Sequence, residues 1–339
     1  MDDIQASRII GMLQGYSTSY LLYTACEAGI FNVLYEEKKS LHNIAIFVDI
    51  DEDILFRILR PLVAMNLIEL DDELFSLSEL GARISKYHEN SLENTILFVG
   101  RECMKCWANL YEALSKKTIP FVLSEKQAFF EKHGEEGDSF LSFNEMMQTN
   151  SFNLDISNYL KEAGEKEIKT IVDIGGGAGE IILKFLSHYQ SASGIIVDLE
   201  HVKGVAENNI EKYGMHERCS FVSGDFFTSS LGEADIFILS RILHDWDDEQ
   251  SLKLLNNVIR SMNDYSRLLV IERILPDELN GRNVQFFMND LHIWSICGGK
   301  ERSLKEFTLL FGSVGLVIRE TTKLNSNESV LEIGLKNEI

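Results

Sequence analysis

The sequence predicts an α/β protein: a doubly wound, mostly parallel sheet preceded by a mainly helical first half. Three observations carry this prediction. From about residue 165 onward, short apolar runs alternate with helical patterns, and strands that alternate with helices imply a parallel sheet with helices on both faces. A glycine-rich turn, Asp173-Ile174-Gly175-Gly176-Gly177-Ala178-Gly179, joins the first apolar run to the first helical one. The chain is 339 residues long with only three prolines, Pro61, Pro120 and Pro276, which leaves room for two or more domains with sizeable cores.

Composition narrows the class. A hydrophobic content of 45% and a charged content of 25% are those of a globular protein. The net charge of −21 argues against nucleic acid and against anionic membrane surfaces, both of which select basic patches. The five cysteines, at 26, 103, 106, 219 and 297, are scattered and odd in number, as in a reducing compartment. Cys103-x-x-Cys106 lies in a helix-like run with no second pair at metal spacing, and reads as structural. No charged segment followed by an apolar one opens the chain, and no apolar run is of spanning length. The expected location is the cytoplasm.

The elements follow in order. Apolar helical patterns at Ile9–Leu13 and Tyr20–Ala28 precede a distinct block, 41–84. In it, Leu41–Val48 is a short helix and Asp51–Met65 a second, with Leu55, Ile58, Leu59, Leu62 and Val63 on one stripe. Pro61 is expected to kink or shorten that helix. Strand-like Leu67–Leu70 and Leu74–Leu77 flank Asp71-Asp72-Glu73, which completes a winged helix. The block carries nine acids against three arginines, a sign that phosphate would repel, so it reads as a packing or dimerisation module. The expected division is a helical, winged-helix domain at 1–100, a helical linker at 101–164 and an α/β domain at 165–339. In the last, strands are expected at Lys169–Ile174, Gly194–Leu199, Cys219–Ser223, Asp235–Ser240 and Leu268–Glu272. Helices fall at Glu180–His188, Val202–Tyr213 and Asp248–Met262. A terminal antiparallel hairpin, Leu316–Thr322 with Val330–Leu335, closes through Asn325-Ser326-Asn327.

Residues at the strand ends carry the chemistry. The spacing D-x-G-x-G-x-G differs from the dinucleotide fingerprint G-x-G-x-x-G, which disfavours a dehydrogenase. A glycine loop ahead of a helix lets a ligand approach backbone amides. Asp198 ends the second strand, where an acid can accept both ribose hydroxyls of a nucleoside or, alternatively, cap the next helix. In Gly224-Asp225-Phe226-Phe227 an acid beside an aromatic suits adenine, or simply a turn over core phenylalanines. His244, in Leu243-His244-Asp245-Trp246, follows the fourth strand and can act as a general base near neutral pH. Asp247-Asp248-Glu249 reads as the acidic start of a helix and not as a metal site.

Taken together and in order, Asp173–Gly179, Asp198-Leu199-Glu200-His201-Val202, Gly224–Phe227, Leu243–Trp246 and Gly298-Gly299-Lys300-Glu301-Arg302 resemble the S-adenosylmethionine (SAM)-dependent O-methyltransferases of the plant caffeic acid and flavonoid type and of bacterial polyketide tailoring. The resemblance spans nearly the whole chain. It implies a Rossmann-like class I methyltransferase sheet of five parallel strands plus a C-terminal antiparallel hairpin, behind a helical winged-helix dimerisation domain. It also implies a homodimer, SAM as donor with S-adenosylhomocysteine as product, no metal, and a small secondary metabolite bearing a hydroxyl as acceptor. It assigns the linker at 101–164 a share in the substrate pocket and the domain at 165–339 the catalytic role. By motif it places the catalytic base on His244 and its flanking carboxylates on Glu272 and Glu301. Cofactor contacts fall on Asp173, Gly175, Gly177, Asp198, Leu199, Asp225, Phe226, Ser240 and Arg241. The acceptor wall falls on Phe143 and Met147, in Phe143-Asn144-Glu145-Met146-Met147, and on a loop Asn289-Asp290-Leu291-His292-Ile293-Trp294.

Three positions depart from the pattern. Ser240 stands where the family often has an adenine-side lysine, with Arg241 beside it. Glu200 replaces a proline. The segment between Pro276 and Asn289 is short, which reshapes the acceptor pocket. Rival readings are a relative that methylates nitrogen or carbon, one that performs hydroxylation, decarboxylation or pericyclic chemistry, and a ligand-sensing regulator built on the winged helix.

Overall fold

The computed structural model describes residues 2–133, 146–147, 151, 154–163 and 167–336. The chain divides into two compact units, one formed by residues up to Lys105 together with Met146, the other by the rest.

In the first unit, helices Asp2–Leu13 and Gly15–Glu27 lead into Leu41–Val48 and Glu52–Ala64. Strands β1 (Lys39–Ser40), β2 (Ile68–Asp71) and β3 (Leu74–Leu77) form an antiparallel sheet in the order β1-β3-β2. The helix starts are capped as their sequences dictate. The Ser40 hydroxyl accepts the Asn43 N–H, and the Asp51 carboxylate accepts those of Asp53 and Ile54, each cap being worth about 1 kcal/mol. Leu55, Leu59 and Leu62 recur at helical spacing and are fully buried against Phe31, Ile44, Ile68 and Phe75. Pro61 does not shorten its helix, which runs on to Ala64. The hydrogen bond that proline forfeits is the one to the Arg57 carbonyl, on an exposed part of the helix where water can replace it. The two residues between β2 and β3, Asp72 and Glu73, both have positive φ, 46° and 65°, the geometry that matches the strand twist in a tight hairpin. Ile9, Ile10, Met12, Leu13 and Tyr16 are each more than half exposed on the first unit.

The second unit is built on β4 (Thr170–Ile174), β5 (Ser193–Asp198), β6 (Cys219–Ser223), β7 (Ile236–Ser240), β8 (Arg267–Leu275), β9 (Arg302–Ser303), β10 (Leu316–Lys323) and β11 (Glu328–Leu335). The main sheet runs β10-β11-β8-β7-β4-β5-β6, with β9 paired to β8. Strands β4 to β8 are mutually parallel, β11 is antiparallel to β8, and β10 is antiparallel to β11. This is the class I methyltransferase sheet. One face buries Ile171, Ile196, Ile238 and Ile271 under helix Glu180–His188, and the other buries Val172, Phe237, Leu239 and Val270 under helices Asp248–Ser261 and Leu304–Ser313. Because β5 and β6 lie on one side of β4 and β7 and β8 on the other, the chain reverses its direction of winding at β4. In such sheets the crevice for ligands opens at the carboxyl ends of the strands flanking that point.

A second expectation changes. Asn289–Trp294 is not a loop but the middle of an α-helix, Val284–Cys297. No proline or glycine interrupts it until Gly298, which ends it with φ of 81°.

Candidate active site

The crevice is assembled from the strand ends. Beyond β4, the Gly175 N–H donates to the Val197 carbonyl at 2.8 Å, which pins the turn to β5. Gly177 takes a left-handed φ of 55° and leaves open space where a side chain would stand. Its N–H donates to Asp198 Oδ2 at 2.8 Å, while Oδ1 accepts the Leu199 N–H at 2.7 Å. Burial raises the Asp198 pKa, opposed by these two donors. The Leu199 side chain is exposed. Asp173 is buried, and among the described residues its carboxylate has no side-chain partner, only a weak contact with the Ile182 N–H. Burial pushes its pKa up to about 7, opposed by the Ile182 N–H and aided by a smaller contribution from the Asp198 charge. A buried carboxylate without a side-chain partner at a strand end suits a polar or cationic ligand.

At the end of β6, Asp225 is exposed and its carboxylate holds its own turn, accepting the Phe227 N–H at 2.9 Å and the Thr228 hydroxyl at 3.1 Å. Phe226 and Phe227 pack edge-on against Trp246, at centroid distances of 6.2 and 4.8 Å. Asn257, from helix Asp248–Ser261, clamps the same turn by donating to the Phe226 and Ser229 carbonyls. Ser240 ends β7 with its hydroxyl buried and, among the described residues, without a partner. Arg241 has a left-handed backbone, φ 56°. Its guanidinium bonds the Ser151 hydroxyl, whereas Nε is buried without a partner among the described residues. Burial lowers its pKa against the raising charges of Glu328 and Glu272.

The strained backbone at Arg241 opens into a 3-10 turn, Leu243–Asp245, that carries His244. Its Nδ1 lies 3.4 Å from Glu301 Oε1 and 3.5 Å from Glu272 Oε2. The backbone N–H donates to Glu272 Oε1 at 3.3 Å. Glu272 comes from β8 and Glu301 from the residue before β9. The parallel pairing of β9 with the end of β8, Ile274 opposite Arg302, is what brings the two carboxylates to one ring. Both are buried. These contacts are long for hydrogen bonds, as is common before substrate closes a site. Burial alone would lower the His244 pKa, but the charges of Glu272 and Asp245 and the contact with Glu301 outweigh it and raise the pKa to about 10. Burial is the main reason that Glu272 is raised to about 7.

On helix Val284–Cys297, Asp290 accepts the Glu301 N–H at 2.9 Å and so fixes the carboxylate beside His244. Asn289 accepts from Gln285 at 3.0 Å. Ile293 and Trp294 are half-buried, and their carbonyls accept the Cys297 thiol and the Gly298 N–H. Met147 is half-buried; Phe143 lies outside the described residues. Asp247 caps helix Asp248–Ser261 by accepting the Gln250 N–H at 2.9 Å.

Several contributors were not legible in the sequence as site residues. Asp245 places Oδ1 3.5 Å from His244 Nε2, and Cys297 donates its thiol to the same oxygen. Adjacency to the histidine was the available signal for Asp245. Trp107 donates its indole N–H to His292 Nδ1 at 3.1 Å with the rings stacked. Burial lowers the His292 pKa, which suits a neutral ring accepting at Nδ1.

Comparison with known proteins accords with this geometry. Residues 107–317 match the model of the O-methyltransferase domain, and residues 10–85 that of the O-methyltransferase dimerisation domain. The chain therefore belongs to the O-methyltransferase family, the S-adenosylmethionine-dependent methyltransferases of class I fold. It is 27% identical to a phenazine O-methyltransferase of Lysobacter antibioticus, covering 96% of this chain and 95% of the relative. It is 29% identical to the phenazine-1-carboxylate N-methyltransferase of Pseudomonas aeruginosa, covering 94% of each. Among solved structures, the O-methyltransferase NcsB1 of neocarzinostatin biosynthesis, in complex with S-adenosyl-L-homocysteine and 1,4-dihydroxy-2-naphthoic acid, superposes with a TM-score of 0.81 at 25% identity, over 94% of this chain and 96% of that one.

Proposed function

We propose that this protein transfers a methyl group from SAM to a hydroxyl of a small aromatic or polyketide-like metabolite, with His244 as general base. The observation that carries this reading is the pair of buried carboxylates at His244 Nδ1. They hold the Nδ1 proton and leave Nε2 as the basic nitrogen. The buried Asp173 carboxylate, the open approach at Gly177 and the acid at the end of β5 fit a cationic nucleoside cofactor. Gly175, Gly177, Asp198 and Leu199 would hold its methionine and ribose parts, and Asp225, Phe226, Ser240 and Arg241 its base. Bound SAM supplies an electrophilic methyl group and is released as S-adenosylhomocysteine.

The protein's own part is to align the acceptor and remove its proton. His244 takes the hydroxyl proton at Nε2 as the oxygen attacks, and Glu272 and Glu301 stabilise the imidazolium that results. Met147, Asn289, Asp290, Ile293 and Trp294 would line the acceptor side. The exposed apolar residues Ile9 to Tyr16, on the segment that matches a dimerisation domain, support a homodimer.

The same three side chains, His244, Glu272 and Glu301, also offer ligand atoms within 4.8 Å of one another, so a metal reading is tested alongside. Purified protein is incubated with labelled SAM and a panel of phenols and aromatic amines, with and without chelator, as wild type and as His244→Ala. Chelator-insensitive methylation of oxygen, with turnover reduced at least a hundredfold in the variant, supports the proposal. Full turnover by the variant overturns the role of His244, and loss on chelation supports a metal. Transfer to nitrogen alone favours the chemistry named in the Pseudomonas relative.

A further inference from the structure

The proposed mechanism gives no role to the buried charge of Arg302. Arg302 is fully buried, and its guanidinium ties the turn that carries His244 to the start of helix Asp248–Ser261. Nη1 donates to the Leu243 carbonyl at 2.7 Å and Nη2 to the Trp246 carbonyl at 2.9 Å, so the two carbonyls it holds bracket His244 and Asp245. Nε and Nη2 donate to Asp248 Oδ1 at 3.0 and 2.8 Å, and Nη2 also reaches the Ser251 hydroxyl at 3.1 Å. The strip leading to Arg302 grips the same turn. The Lys300 N–H donates to the His244 carbonyl at 2.9 Å. A Cβ on Gly299 would stand 2.0 Å from that carbonyl oxygen, a clash with backbone that nothing can relieve cheaply. Between Lys300 and Arg302 sits Glu301, whose carboxylate meets the ring.

We infer that Arg302 is a positioning residue for proton abstraction: it fixes the turn so that the His244 ring meets Glu301 and Glu272. The inference rests on the reading of His244 as base. Deleting the guanidinium would leave two carbonyls and the Asp248 carboxylate without their donor, which is costly for buried groups. The rigid fork of arginine holds all three acceptors at once. Lysine, with a single flexible ammonium, cannot span the same acceptors.

The test compares Arg302→Lys, His244→Ala and the double variant, each as the full chain. Steady-state kinetics are taken against acceptors of differing acidity, and the His244 imidazole is titrated by NMR. Arg302→Lys is expected to lower kcat roughly ten- to hundredfold, to leave both KM values within about twofold, to move the His244 titration, and to add no further loss in the His244→Ala background. If Arg302→Lys does not fold, Asp248→Asn, which alters a mainly exposed partner of the guanidinium, is expected to give the same pattern more weakly. A folded variant with an unchanged His244 titration, or with a kcat loss repeated in the His244→Ala background, overturns the inference. Should His244→Ala alone keep full turnover, the base reading fails, while a moved imidazole titration in Arg302→Lys still supports the positional role.

Discussion

Asp198 accepts the Gly177 amide proton at 2.8 Å, so the end of β5 and the glycine loop after β4 are joined through one carboxylate oxygen. Removing that carboxylate would release the loop amide and, on the proposed function, take away the ribose acceptor as well. Asp198→Ala is expected to weaken SAM binding by about 2–4 kcal/mol, the scale for charge-assisted bonds to a buried ligand. Calorimetry that found unchanged affinity would remove Asp198 from the cofactor site.

Asp173 gives the opposite balance of stability and function. Its folded pKa, about 7, lies above the ordinary carboxylate value, so ionisation is disfavoured in the fold. Stability is fully present below pH 4 and is lost as pH rises from about 4 through 7. Asp173→Asn should therefore stabilise the cofactor-free protein at pH 8, by about 1–3 kcal/mol, while weakening SAM binding. The gain should vanish below pH 4. Thermal denaturation at pH 4 and pH 8 checks the sign; an equal effect at both would show that ionisation is not its cause.

The His244 cluster predicts a pH profile. The raised pKa, to about 10, means that the imidazolium predominates at neutral pH before substrates bind, so turnover of an unionised hydroxyl should climb with pH above 7. Glu272 contributes the largest raising charge. Glu272→Gln should therefore move the rising limb to lower pH and cost less turnover than loss of His244. A limb that stays in place would mean that another group titrates there. Acceptors already ionised at the assay pH should show little of this dependence.

The exposed residues Ile10 and Leu13 make the dimer testable. Sedimentation at micromolar concentration should find a homodimer. Ile10→Lys with Leu13→Lys should shift it toward monomer, because two buried charges at an apolar interface are costly. A wild-type monomer would refute the assignment.

Much of this was legible in the sequence because strands and helices announce themselves by period. The Cys219–Ser223 strand and the Glu180–His188 and Leu41–Val48 helices fall where the pattern puts them. Two expectations differ from the structure. Pro61 does not shorten its helix, since the bond it forfeits falls on an exposed turn. The Asn289–Trp294 stretch, called a loop by resemblance, is helical because nothing breaks it before Gly298. What no local pattern contains is convergence. Glu272 and Glu301 meet His244 through a two-residue parallel pairing, and Arg302 reads as one more charged residue until its burial is seen. The Trp107–His292 pair was hidden for the same reason, since its two members lie 185 residues apart; Asp245 adjoins His244, but its second partner, Cys297, is distant.

The place of β11 in the sheet has a consequence for how the protein comes off the ribosome. Glu272 sits on β8, whose outer neighbour is β11, with Ser329 opposite Glu272 and Val330 opposite Ile271. Until residues 328–335 emerge, β8 is an edge with a row of unpaired amides and carbonyls, open to pairing with another nascent chain. A message truncated before that point would encode every residue of the His244 cluster and still yield an aggregation-prone product, so completion of synthesis and soundness of the catalytic centre are tied to the same late hairpin.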